Sequence, residues 1–130
     1  MLDTNKMFIK NNWPGLSWAI VIFILSTISP PAIYLPNFFD LFTPDKVAHF
    51  IIYAILVFLL TVGFNKSQGR LSRNQFSFSV LFSASYGGLI EIYQGYCLVD
   101  RIGDWVDFLA NCIGCLVGYV ISRWMLSRKK

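Results

Sequence analysis

"EIYQGYCLVDRIGDWVDFLANCIGCLVG", residues Glu91–Gly118, crowds Glu91, Gln94, Asp100, Arg101, Asp104, Asp107 and Asn111 together and then turns wholly apolar or small. Long apolar runs flank its polar part, about Phe76–Tyr96 on one side and Trp105–Leu126 on the other. A helix needs roughly 20 mostly apolar residues to cross a bilayer. The stretch therefore reads as the polar corner between two transmembrane helices. Two further runs, about Trp13–Ser29 and Val47–Phe64, fit the same description. The expected fold is all-α: a polytopic membrane protein with four transmembrane helices in a compact bundle, forming one domain over residues 1–130.

Composition agrees. Of 130 residues, 55% are hydrophobic and only 14% charged, with a mean hydropathy of +0.56. Soluble domains carry about a quarter charged residues. The net charge of +4 is not gathered into a basic stripe, so no nucleic-acid partner is expected. The first run, Leu16–Ile28, has the look of a signal-peptide core. Thr27 and Ser29 make a poor small-x-small cleavage match and Pro30 follows at once, so a retained span is expected. Cys112 and Cys115 have CxxC spacing but sit in an apolar helical run, which makes them small packing residues; with Cys97 they form no disulfide framework.

Loop charge sets the orientation. Lys6 and Lys10 precede the first span, Lys66, Arg70 and Arg73 join the second to the third, and Arg123, Arg128, Lys129 and Lys130 end the chain. Lys46 and Arg101 are the basic residues of the other side, beside Asp40, Asp45, Asp100 and Asp104. Basic loops stay inside, so both termini are expected in the cytoplasm and the protein in a bacterial cytoplasmic (inner) membrane. The outer connection, residues 30–45, is broken by Pro30, Pro31, Pro36 and Pro44 and rich in Tyr34, Phe38, Phe39 and Phe42. Such a loop suits the headgroup boundary, as a lid over the bundle, a lipid-facing entrance, or both.

On this topology His49, Glu91, Gln94, Asp104, Asp107 and Asn111 all approach the outer surface. Asp45, His49 and Tyr53 follow one another at i,i+4 spacing, Glu91 and Gln94 at i,i+3, and Asp104, Asp107 and Asn111 at i, i+3 and i+7. Gly114 and Gly118 extend that last stripe as a GxxxG pair, a close-packing surface between membrane helices. Asp45 and Asp104 also suit helix N-terminal capping, and Asp104 an ion pair with Arg101. Capping does not account for His49, Glu91 and Asp107, which lie inside the spans, where ionisable groups point to function.

"DKVAHFIIY" (Asp45–Tyr53), "EIYQ" (Glu91–Gln94) and "RIGDWVDFLANCIGCLVG" (Arg101–Gly118) resemble the motifs of the VanZ-like membrane proteins. The resemblance covers most of the chain beyond residue 44 and implies a small bacterial inner-membrane protein of four or five helices. It also implies an association with resistance to teicoplanin, a glycopeptide carrying a fatty-acyl chain, without an agreed reaction.

Two readings of the cluster follow. In the first it is an outward-facing site that binds or modifies a lipid-like envelope molecule, such as a lipid-linked envelope substrate or a lipoglycopeptide, reached from the membrane lipids. His49, Glu91 and Asp107 are then the candidate acid–base groups, and Asp45, Lys46, Tyr53, Gln94, Arg101, Asp104 and Asn111 the candidate substrate-binding groups. No nucleophile stands out, since Ser83 and Ser85 lie a turn or more deeper than Glu91. A divalent ion among His49, Glu91, Asp104 and Asp107 is a variant of this reading; with no H-x-x-x-H pair, neither a metal nor another cofactor is expected. In the second reading the protein is structural or an interaction protein, and the cluster is a clasp that packs helices. A transporter is disfavoured, because the polar stripe stops at Asn111.

Overall fold

A computed structural model describes residues 2–28, 43–69, 72–99 and 103–128. The regular structure among the described residues is helical: α1 (Leu2–Ile28), α2 (Pro44–Gln68), α3 (Arg73–Cys97) and α4 (Trp105–Ser127). Three helices contain stretches long and apolar enough to cross a membrane, Lys6–Ile28, Pro44–Gln68 and Trp105–Ser127. Most of the aromatic connection, residues 29–42, and the corner Asp100–Ile102 with Arg101 lie outside the described residues.

Local sequence explains the helix ends. Thr43 is the N-cap of α2, its side chain accepting from the Lys46 N–H at 3.5 Å, and Pro44 takes the first helical position, where its missing N–H costs nothing. The cap expected of Asp45 is thus made by Thr43; Pro44 pushes Asp45 one residue too far into the first turn, leaving its carboxylate free for other partners. α2 stops at Gly69, whose φ of 69° lets its N–H reach the Asn65 carbonyl at 2.9 Å. Ser72 and Gln75 form a reciprocal capping box on α3. Asp104 caps α4 by accepting from the Val106 N–H at 2.9 Å.

α1 begins at Leu2, well before the expected start near Trp13, and continues through Pro14. Its early turns pack on α2: the Phe8 ring lies 5.4 Å from that of Phe64, and Asn12 is buried against Gly63. Those contacts hold a helical stretch that hydropathy alone does not mark.

α2 is the central helix and touches the other three. Its contact with α4 is the most extensive, and glycines make it close. A Cβ at Gly114 would run into the Phe50 carbonyl oxygen, and one at Gly118 into that of Ala54. Backbone therefore lies on backbone, and the two helices run parallel. α1 and α3 run the opposite way, tied by hydrogen bonds from Trp18 Nε1 to the Ile52 carbonyl (2.9 Å) and from Tyr86 Oη to the Ala19 carbonyl (2.6 Å). This up-down order places Lys6, Lys10, Lys66, Arg73, Arg123 and Arg128 at one end, and His49, Glu91 and Asp107 near the other.

The burial pattern is inverted relative to a soluble bundle. Asn12, His49, Thr61, Ser79, Ser83, Glu91, Gln94, Asn111 and Ser122 are buried, whereas Ile20, Leu81, Leu89, Leu116 and Val120 are exposed. Such exposed apolar surface is what a lipid-facing bundle presents.

Gly114→Ala and Gly118→Ala should each lower stability in detergent by about 1–3 kcal/mol, because the methyl meets backbone that cannot swing aside. Gly88→Ala, which meets only the Phe108 ring edge at 3.2 Å, should cost much less. Thermal melting of the purified variants checks the ranking.

Candidate functional site

The glycine contact between α4 and α2 sets the register of the polar groups one turn further out. Asn111, fully buried, brings Oδ1 to 3.0 Å from His49 Nδ1. An amide oxygen can only accept, so Nδ1 carries the proton and Nε2 keeps its lone pair in the neutral ring. Glu91 Oε1 lies on the same side of the ring, 3.8 Å from Nδ1. His49 Nε2 points the other way and faces Asp45 Oδ1 at 3.9 Å. Among the described residues it makes no hydrogen bond.

Lys46 Nζ lies 3.7 Å from Asp104 Oδ2 and 4.0 Å from Asp107 Oδ1. Glu91 Oε2 accepts from the Asp104 backbone N–H at 3.3 Å, fastening the start of α4 to α3. Gly103 permits this fit, for a Cβ there would stand 2.7 Å from the Glu91 carbonyl oxygen. Tyr53 is buried beneath the cluster, with its ring against Gly87 beside the Asn111 amide.

Of the residues singled out in the sequence, Asp45, Lys46, His49, Tyr53, Glu91, Asp104, Asp107 and Asn111 come together at one end of α2, α3 and α4. Gln94 does not join them. It turns toward α1 and donates to the Ser26 carbonyl at 3.0 Å, satisfying a group in a last turn that the helix leaves open. Arg101 lies outside the described residues.

The cluster is not closed upon itself. Glu91 Oε1, Asp107 Oδ1, Asn111 Nδ2 and Tyr53 Oη are buried without a hydrogen-bond partner. Among the described residues the cluster holds the carboxylates of Asp45 and Glu91 beside His49, and those of Asp104 and Asp107 beside the Lys46 ammonium. The ligand atoms of Asp45, His49 and Asp107 lie within 4.8 Å of one another.

Beside the cluster runs a groove of about 540 Å³ between α3 and α4, lined by Gly88, Glu91, Ile92, Tyr96, Trp105 and Phe108 among others. Ile92, Tyr96 and Trp105 are well exposed along it, so it opens on the outer surface of the bundle. These residues were not marked in the sequence, where they read as ordinary membrane-facing positions. Gly88, Gly95 and Gly103 are the available signal, since small residues on both walls make the room.

A family model described as VanZ/LLP1 matches residues 8–126. No curated protein and no solved structure matches the chain.

His49 is the chain's one histidine, which makes the ring directly observable. Nitrogen-15 NMR of histidine-labelled protein should find the neutral ring protonated at Nδ1, with Nε2 bearing the lone pair. Asn111→Leu should abolish that preference; an Nε2–H tautomer in the wild type would contradict the assignment.

Proposed function

The chain belongs to the VanZ/LLP1 family of membrane proteins, and we propose that its polar cluster is an outward-facing site that binds or modifies a lipid-like envelope molecule. One observation carries this reading: Glu91 is shared between two environments. Its carboxylate lies against His49 and the α4 N-terminus, while the same residue lines the apolar groove between α3 and α4. A molecule with an acyl chain and a polar head matches that pairing, with the chain along Ile92, Trp105 and Phe108 and the head at Glu91 and Asp104. An acylated glycopeptide of the teicoplanin type belongs to this chemical class, and resistance to it enters as one association of the site.

In this reading all four helices span the membrane and both termini are cytoplasmic. α3 supports a fourth span by its inverted faces: Ser79, Ser83 and Gly87 are inside, and Phe78, Leu81, Phe82, Leu89 and Ile92 outside. Its 25 residues reach about 37 Å at 1.5 Å per residue, enough to cross the hydrocarbon core. The gathering of basic residues at the end away from His49 supports a cytoplasmic placement for that end, and hence an inner-membrane protein with its site at the outer leaflet. His49, Glu91 and Asp107 are the groups placed to move or hold protons there.

The alternative, a non-catalytic protein whose cluster is a packing clasp, draws on the His49–Asn111 hydrogen bond. A clasp gains by satisfying its members, and this one leaves four buried polar atoms without hydrogen-bond partners.

The test uses protein in phosphatidylethanolamine–phosphatidylglycerol vesicles with a trace of phospholipid bearing an acyl-chain diazirine. After illumination, adducts should concentrate on Ile92, Tyr96, Trp105 and Phe108 over Ile20 and Ile24 of the exposed α1 face. Gly88→Leu, which fills the groove, should remove the excess. Equal labelling of both faces, unchanged by Gly88→Leu, would refute the site.

A further inference from the structure

We propose that Asp45, His49 and Asp107 form a binding site for one divalent transition-metal cation, on the side of His49 away from Glu91. The inference goes beyond the lipid-site reading and does not need it, since these ligands do not line the groove.

The donor set is one imidazole nitrogen and two carboxylates, a combination that suits Zn²⁺ or Mn²⁺. Their ligand atoms lie within 4.8 Å of one another. Ligands held about 2.0–2.2 Å from an ion are separated by roughly 3–4 Å, so the three side chains need to draw in by about 1 Å. Asp45 and His49 are one turn apart on α2, and Asp107 approaches from α4 in the register set by Gly114 and Gly118.

Two independent features point to a ligand. The His49 side chain is nine-tenths buried, yet Nε2 makes no hydrogen bond among the described residues and is aimed at Asp45. Asn111 holds the proton on the opposite nitrogen, the arrangement by which an outer hydrogen bond presents the free lone pair of a histidine to a metal. Asp107 Oδ1 is likewise buried without a hydrogen-bond donor. Lys46, 4.0 Å from that oxygen, supplies the present counter-charge and retains Asp104 at 3.7 Å when Asp107 turns to the ion.

Binding is measured on full-length protein in detergent, stripped with EDTA and titrated with ZnCl₂ or MnCl₂, with retained metal quantified by mass spectrometry. The wild type should bind about one ion per chain and melt higher with the metal than with EDTA. Asn111→Leu should weaken binding about 10–100-fold, and His49→Gln or Asp107→Asn by more. Asp45→Asn should do the same; its side chain is half exposed, so the folded protein does not depend on it for packing. Gly88→Leu, which fills the groove without touching Asp45, His49 or Asp107, should bind as the wild type does, which separates failure of this site from failure of the lipid site. Absence of retained metal in the wild type, or wild-type affinity in Asp45→Asn, would overturn the proposal.

Discussion

Backbone contact between α2 and α4 at two glycines is the constraint on which the rest of the molecule depends. With Gly114 against the Phe50 carbonyl and Gly118 against that of Ala54, the helices approach as closely as chains can. That contact places Asn111 on His49 and Asp107 beside Lys46. α3 completes the wall, with Gly87 leaving room for the Tyr53 ring and the Asn111 amide, so that Glu91 reaches His49 one turn further on. A side chain at position 114 would move the first two turns of α4 outward, and both polar contacts would lengthen with them.

In a lipid environment the apolar surface of each helix has little to gain from its neighbours, so close packing and polar contacts carry helix association. Trp18, Tyr86 and Gln94 each reach across to a backbone carbonyl of another helix. Those three bonds are complete and serve the bundle. The cluster at His49 differs in kind: several of its buried atoms, Glu91 Oε1 and Asp107 Oδ1 among them, lack hydrogen-bond partners. Leaving a buried charge incompletely paired is expensive. The expense makes sense where the missing partners arrive with a ligand.

Much of this was legible in the sequence, because membrane helices write their contacts at short spacing. Asp45 and His49 at i,i+4, Asp107 and Asn111 at i,i+4, and Gly114 with Gly118 predicted the faces that meet. Three things were not legible. Gln94 shares a helical face with Glu91, yet whether it turns to the cluster or to Ser26 depends on where α1 ends against α3. The α2 cap was expected of Asp45, but with Pro44 in the first helical position it falls to Thr43. The groove is a product of small residues on α3 and in the segment just before α4, and an exposed Trp105 or Ile92 reads the same in sequence whether it faces bulk lipid or a cleft.

The central claim is that the polar cluster is a working site and not a clasp, and Glu91 decides it. Glu91→Gln preserves size and an oxygen that can accept from the Asp104 N–H, while removing the buried charge. Measured by thermal melting in detergent, the variant should be at least as stable as the wild type, as expected when a residue is kept for function at the expense of stability. A loss of about 3–5 kcal/mol, the cost of breaking a buried ionic partnership, would contradict the account and make the cluster a clasp.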